Sequence, residues 1–170
     1  FFIYMAASGE AQQTALRAAF EDVTVADVMT PRDRLDVVDE GTSVATLLDR
    51  MFEERHTGYP VMRGDELVGM VTLDDAREVR EVERDAYTVA DVMSDELASV
   101  TLDADAMDAI GRMQSESVGR LPVLDADGRL VGLVSRSDLV TAFNIIKSRG
   151  RLDATASPRR LDAGGEFDPR

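Results

Sequence analysis

An internal repeat constrains this chain more than any other feature. Residues 24–29 read Thr-Val-Ala-Asp-Val-Met, and residues 88–93 repeat the same six letters. Tyr59-Pro60-Val61-Met62 aligns with Leu121-Pro122-Val123-Leu124. Leu67-Val68-Gly69-Met70-Val71-Thr72 aligns with Leu130-Val131-Gly132-Leu133-Val134-Ser135. The matches follow in order at offsets of 64, 62 and 63 residues, so the copies differ by single-residue loop changes. A fixed period of this kind means that one supersecondary unit is built twice.

Each copy carries the same succession of patterns. Asp27-Val28-Met29 and its copy close a short helix, and Leu35–Val38 and Ala98–Thr101 are short strand candidates. Thr42 or Ser43 can cap a helix that places Val44, Leu47, Leu48, Met51 and Phe52 on one face. Its copy has Asp105 near the cap and Ala106, Ala109, Ile110 and Met113 on the buried face. A hairpin follows in each unit, turning at Arg63-Gly64-Asp65 and around Asp127-Gly128, and Asp-Gly between apolar runs is a strong hairpin signal. A second helix starts at about Leu73 and Arg136. The order β-α-β-β-α predicts an α/β (α+β) fold with both helices covering one face of a small sheet. A unit of about 60 residues buries little core alone, so two units related by a pseudo-two-fold, sheets face to face, are expected. The expected organisation is a lead-in segment and helix over 1–21, one repeat over 22–80, the second over 86–147, and a flexible tail over 148–170. Residues 77–86, rich in Arg and Glu, read as a helix end and an exposed connector.

Composition narrows the function. The chain has no cysteine, which excludes disulfides and thiolate chemistry. Its 33 acidic residues against 19 basic ones give a net charge of −14, and Lys147 is the single lysine. Such a surface repels nucleic-acid phosphates, so no nucleic-acid partner is expected. An acidic, lysine-poor surface is that of a salt-loving organism's protein, or of an acidic mesophile protein whose genome favours Arg. The halophilic reading predicts that the melting temperature falls as salt is removed, because the Debye length grows from about 3 Å at 1 M to about 30 Å at 0.01 M. Thermal melts across that range check it, and an unmoving midpoint removes the reading.

Catalytic machinery is not evident. His56 is the single histidine, and Glu53-Glu54-Arg55-His56 is no zinc-protease signature, which needs two histidines. No catalytic residue and no metal site is expected. Neither a P-loop nor a Gly-x-Ser-x-Gly elbow is present. What stands out is Gly69-Met-Val-Thr72-Leu-Asp-Asp75 and its copy Gly132-Leu-Val-Ser135-Arg-Ser-Asp138, each after a Pro-Val strand. Thr72 and Ser135 lie where a strand hands over to a helix, so unpaired N–H groups there attract anions. A carboxylate three residues on can accept hydrogen bonds from two vicinal hydroxyls, as ribose offers. The competing reading is that Thr/Ser-x-x-Asp simply starts a helix.

Over roughly residues 22–147 these repeats resemble cystathionine-β-synthase (CBS) domains, which pair into Bateman modules. The resemblance implies a regulatory module that senses an adenine nucleotide (AMP or ATP) or S-adenosylmethionine. It implies that Asp75 and Asp138 take the ribose, with Thr72 and Ser135 near the ribose or phosphate. Arg120 falls where such domains place a basic phosphate contact, whereas the matching residue Gly58 cannot serve; the second site is therefore expected to be the better one. Thr30, Ser94 and Tyr59 are candidates for the adenine end. The resemblance also implies a homodimer, to which Met51, Met107 and Met113 would offer apolar surface. The alternative is a structural dimerisation domain without ligand. The stretch from Phe1 to Phe20 resembles the carboxyl portion of archaeal site-2-type intramembrane zinc proteases. That implies an attached, membrane-embedded N-terminal domain, with Phe1–Met5 as the end of a membrane helix and this module on the cytoplasmic face.

Overall fold

The computed structural model describes residues 2–155, with side chains over residues 9–150. In chain order the elements are α1 (Phe2–Ala19), α2 (Val25–Val28), β1 (Thr30–Pro31), β2 (Val38–Asp39), α3 (Val44–Glu54), β3 (Gly58–Arg63), β4 (Glu66–Thr72) and α4 (Leu73–Arg77). The second half continues with α5 (Val89–Val92), β5 (Val100–Thr101), α6 (Ala106–Ser115), β6 (Arg120–Leu124), β7 (Leu130–Ser135) and α7 (Arg136–Thr155). The order β-α-β-β-α therefore occurs twice, β2 to α4 and β5 to α7. Within each repeat the first strand runs parallel to the second, and the second and third form an antiparallel hairpin. Both hairpins shift register at the same place, between Val61 and Met62 and between Val123 and Leu124.

The repeats are interlocked. Val25, from the lead-in of the first repeat, is fully buried in the core of the second with Val100, Leu121, Val123 and Val134. Val89, from the lead-in of the second, is fully buried in the core of the first with Val38, Leu47, Val61 and Val71. Backbone hydrogen bonds fix both exchanges in matching fashion. Val25 N–H donates to Ala104 O at 2.8 Å and Ala106 N–H to Val23 O at 2.9 Å; Val89 N–H donates to Thr42 O at 2.8 Å and Val44 N–H to Tyr87 O at 2.9 Å. The borrowed carbonyls thus satisfy the first orphan N–H of α6 and of α3. Asp105 makes no side-chain cap, whereas Ser43 does, accepting from Thr46 N–H.

Beyond each short helix the exchanged chain joins the other repeat's sheet. Thr30 and Pro31 pair with Leu133 and Gly132, and Ser94 bridges to Met70. The two matching glycines admit this crossing. A Cβ on Gly132 would lie 2.5 Å from Met29 Sδ and 2.8 Å from the Thr30 carbonyl oxygen, and one on Gly69 2.6 Å from Met93 Sδ and 2.9 Å from the Ser94 carbonyl oxygen.

Three expectations need correction. The predicted strands at Leu35–Val38 and Ala98–Thr101 shrink to Val38–Asp39 and Val100–Thr101, because Leu35 and Ala98 instead line the clefts described below. Helix α7 continues through Thr155, where a tail was expected from residue 148; residues 156–170 lie outside the described residues. The methionines are not a docking face: Met51 and Met113 are 6% and 1% exposed, and Met107 packs against the second core. Among the residues whose side chains are described, the exposed large apolar ones are Phe52, Val82, Tyr87, Val140 and Ile145. The apolar start, Phe1–Met5, lies outside the residues whose side chains are described. Among the described residues, no helix is long and apolar enough to cross a membrane.

Candidate functional site

Two clefts open between the repeats, one at the start of α4 and one at the start of α7. The first, about 530 Å³, is lined by Thr72, Asp75, Ser94, Ala98 and Arg120, among others. The second, about 390 Å³, is lined by Thr30, Leu35, Gly58, Tyr59, Arg120, Ser135 and Asp138, among others. Every residue named from the sequence as a ligand contact therefore lines one of the two clefts, and Arg120 lines both.

The helix starts are built alike. Asp75 Oδ2 accepts from the Thr72 N–H and hydroxyl, both at 2.7 Å, and Asp75 N–H donates to Thr72 Oγ1 at 3.4 Å. Asp138 Oδ2 accepts from the Ser135 N–H at 2.9 Å and its hydroxyl at 2.7 Å, and Asp138 N–H donates back at 3.2 Å. These are capping boxes, so the helix-start reading of Thr/Ser-x-x-Asp holds here. It does not use up either carboxylate: the capping bonds converge on Oδ2 and leave Oδ1 for other donors. Thr24–Asp27 and Thr88–Asp91 form the same box at α2 and α5, but neither pair lines these clefts. There the hydrogen bond from the Thr backbone, then that from its hydroxyl, holds the carboxyl below the usual range.

Each cleft draws on both repeats. The carbonyl of Thr57 accepts from Leu73 N–H at 2.9 Å and that of Gly119 from Arg136 N–H at 3.0 Å, which ties each hairpin to its following helix. Gly58 and Tyr59 face Ser135 and Asp138, across from their own repeat's Thr72 and Asp75. The expectation that Gly58 impoverishes the Asp75 site thus places Gly58 in the wrong cleft. Its lack of a side chain instead makes room for Arg120, since a Cβ there would lie 2.1 Å from Arg120 Nη1. Arg120 Nη2 donates to Thr57 Oγ1 at 2.9 Å. Burial lowers the guanidinium pKa from its ordinary value, and the charge of Asp138 partly offsets this.

Tyr59 is a core residue with one edge on the cleft. It is 1% exposed, and its hydroxyl donates to Glu54 Oε2 at 2.6 Å. Burial first, then that hydrogen bond, raises its pKa. Thr57, Leu35, Ala98 and Gly119 were missed in the sequence. Their signal was reciprocal: Thr57-Gly58 in one repeat stands opposite Gly119-Arg120 in the other. The structure also gathers Asp36, Glu54 and His56, with ligand-type atoms within 4.8 Å of one another, although no metal-binding group was expected. Arg50 and Tyr59 already engage that Glu54 carboxylate.

Comparison with known proteins agrees with this architecture. The CBS domain family model matches residues 25–81 and again residues 89–145. The chain belongs to the CBS domain family. This CBS pair is 26% identical over 151 residues to a zinc metalloprotease of Methanocaldococcus jannaschii, covering 89% of this chain and 41% of that protein. It is 31% identical over 154 residues to the chloroplastic CBS domain-containing protein CBSX2 of Arabidopsis thaliana, covering 73% of this chain and 65% of that one. The chain thus spans less than two thirds of the length of these curated relatives. Among solved structures, CBSX2 in complex with AMP superposes with a TM-score of 0.64 at 36% identity, covering 73% of this chain and 98% of that one. The CBS domain of a bacterial CNNM/CorC family Mg2+ transporter shares the fold, with a TM-score of 0.68 at 22% identity over 83% of this chain and 92% of that one.

Proposed function

We propose that this CBS pair is a regulatory module that binds an adenine nucleotide in the clefts at Asp75 and Asp138. The observation that carries the reading is a cleft in which a helix N-terminus, a carboxylate with one uncommitted oxygen and a guanidinium converge. Ribose hydroxyls would donate to Asp138 Oδ1, and the phosphate would meet Arg120 and the Ser137 N–H, since the N–H groups of Ser135, Arg136 and Asp138 already donate within the protein. Asp75, Thr72 and Ser94 would serve the other cleft likewise, with Thr30 and Tyr59 on the edge of the Asp138 cleft. The AMP complex of CBSX2 supports this ligand class. Calorimetric titration with AMP, ATP and S-adenosylmethionine tests it. Saturable heat with one of them at Kd below about 1 mM is expected, while no heat with any of the three overturns the reading.

A structural role without ligand is the second reading, favoured by the capping boxes at Asp75 and Asp138, which α2 and α5 use equally well. In either case a homodimer would bury Phe52 of α3 and Val140 and Ile145 of α7. The module is read as non-catalytic, controlling an attached domain rather than performing chemistry. The metalloprotease relative supports a zinc metalloprotease as that domain. The resemblance of the leading stretch and the acidic composition carry the further reading of an intramembrane protease from an archaeal halophile, with this module tethered at the cytoplasmic face. A His-Glu-x-x-His helix encoded upstream of Phe1 is the expected finding, and a coding sequence without one overturns that assignment. A ligand would act by favouring one arrangement of the interlocked repeats over another. Because Leu16 and Phe20 pack on the second core, with the Phe20 and Phe143 rings 6.3 Å apart, a shift of α7 would reach α1 directly.

A further inference from the structure

We propose that Arg120 is one phosphate-binding group shared by both clefts, so that a nucleotide held in the Asp138 cleft weakens binding in the Asp75 cleft. The inference rests on the nucleotide reading above and goes beyond it to how the two sites regulate each other.

Where the two clefts meet, the pseudo-symmetry is broken, and the break is complementary. The first repeat carries Thr57-Gly58 where the second carries Gly119-Arg120. The Arg120 side chain crosses into the space that Gly58 leaves empty and is anchored there by Thr57 Oγ1 at 2.9 Å. Both Thr57 and Arg120 line both clefts. The guanidinium therefore stands in the partition between two sites, within the electrostatic reach of Asp138.

The surroundings of the two clefts decide the direction of the coupling. Among the described residues, Arg120 is the sole basic side chain lining the Asp75 cleft, which also presents Asp74 and Glu96. The Asp138 cleft has Arg34 and Arg55 besides, with Asp36 as its further acidic side chain, so cations outnumber carboxylates there. A phosphate monoester carries a charge of about −1.5 to −2 near neutral pH, and one guanidinium cannot neutralise two of them across a thin partition. The first nucleotide enters the cation-richer Asp138 cleft and draws Arg120 to its phosphate. The second then meets an Asp75 cleft with acidic walls, no available cation and a dianion behind the partition. Losing a charge-assisted contact of this kind weakens the second step by about ten- to a hundredfold.

Calorimetric titration of the 170-residue chain with AMP, with adenosine as the uncharged probe, tests this. The decisive comparison is between the weaker AMP step of the wild-type chain and the step that survives in Asp138→Ala, where the competing cleft is crippled. The proposal expects the surviving step to be about ten- to a hundredfold tighter than that weaker step. It also expects the gain to vanish when Arg120→Ala is added, and adenosine to show no such gain. A surviving step of unchanged affinity, or a wild-type second step tighter than the first, overturns the sharing while leaving the nucleotide reading intact. No AMP heat in any variant overturns the nucleotide reading and this inference with it. Melting curves for each variant confirm that folded protein is being compared.

Discussion

Asp138→Asn is expected to bind AMP about ten- to a hundredfold more weakly than the wild-type chain while keeping its fold. The carboxylate has two tasks on two oxygens. Oδ2 accepts from the Ser135 N–H and hydroxyl and caps α7, and Oδ1 is left to the cleft. An asparagine can keep its carbonyl oxygen on the capping side. It then presents an NH2 group, a donor, where ribose hydroxyls need an acceptor. Losing charge-assisted hydrogen bonds costs about 1.5–3 kcal/mol, which sets the expected fold-change. The negative charge near a helix N-terminus contributes about 0.3–1 kcal/mol. At about 2–4 °C per kcal/mol for a chain of this size, the melting temperature falls only slightly. Asp138→Ala should also lose the reciprocal arm of the capping box, the bonds from the Ser135 N–H and hydroxyl, a further cost of about 0.5–1.5 kcal/mol each. Calorimetry and melting curves on both variants separate the two tasks. Undiminished AMP affinity in Asp138→Asn removes ribose binding from this residue.

Gly132→Val should produce a large loss of stability from a single site. The added side chain meets Met29 Sδ, which can swing away, and the Thr30 carbonyl oxygen, which cannot without parting β1 from β7. Overpacking of this kind costs about 1–3 kcal/mol, and each backbone hydrogen bond broken adds about 1 kcal/mol. A drop in melting temperature of roughly 5–15 °C follows from the same conversion. Gly111→Ala is the opposite case. Gly111 lies exposed in α6 with nothing within 4 Å of an added Cβ. Replacing a helix-interior glycine gains about 1 kcal/mol, a rise of about 2–4 °C. If Gly132→Val melts like the wild-type chain, the crossing of β1 over β7 is not a tight contact.

Much of this architecture could be read from the residues because the repeat states it twice. The apolar spacing of Val44, Leu47 and Met51, the Asp127-Gly128 turn and the strand-to-helix handover at Thr72 and Ser135 are local signals, and the elements follow them. The exchange of lead-ins was not legible. Thr-Val-Ala-Asp-Val-Met has the same local chemistry whichever core receives it, and only tertiary packing sends Val25 to the far repeat. For the same reason Gly58 was assigned to the cleft of its own repeat. Strand length failed where burial overrode pattern, since Leu35 and Ala98 turn toward the clefts. The clefts' shared partition needed two positions to be compared at once, Thr57-Gly58 against Gly119-Arg120.

The interlocking of Val25 and Val89 also bears on where such a chain comes from. A solitary repeat would expose the groove that Val25 or Val89 fills and leave its own lead-in helix without a seat. Two identical copies could satisfy both needs at once by trading lead-ins, the low-cost route to a dimer that segment swapping provides. Tandem duplication would then turn that association into a covalent one without changing a single contact. Once joined, the halves were free to diverge, as at Thr57-Gly58 and Gly119-Arg120, and a symmetric pair of pockets could become an unequal one.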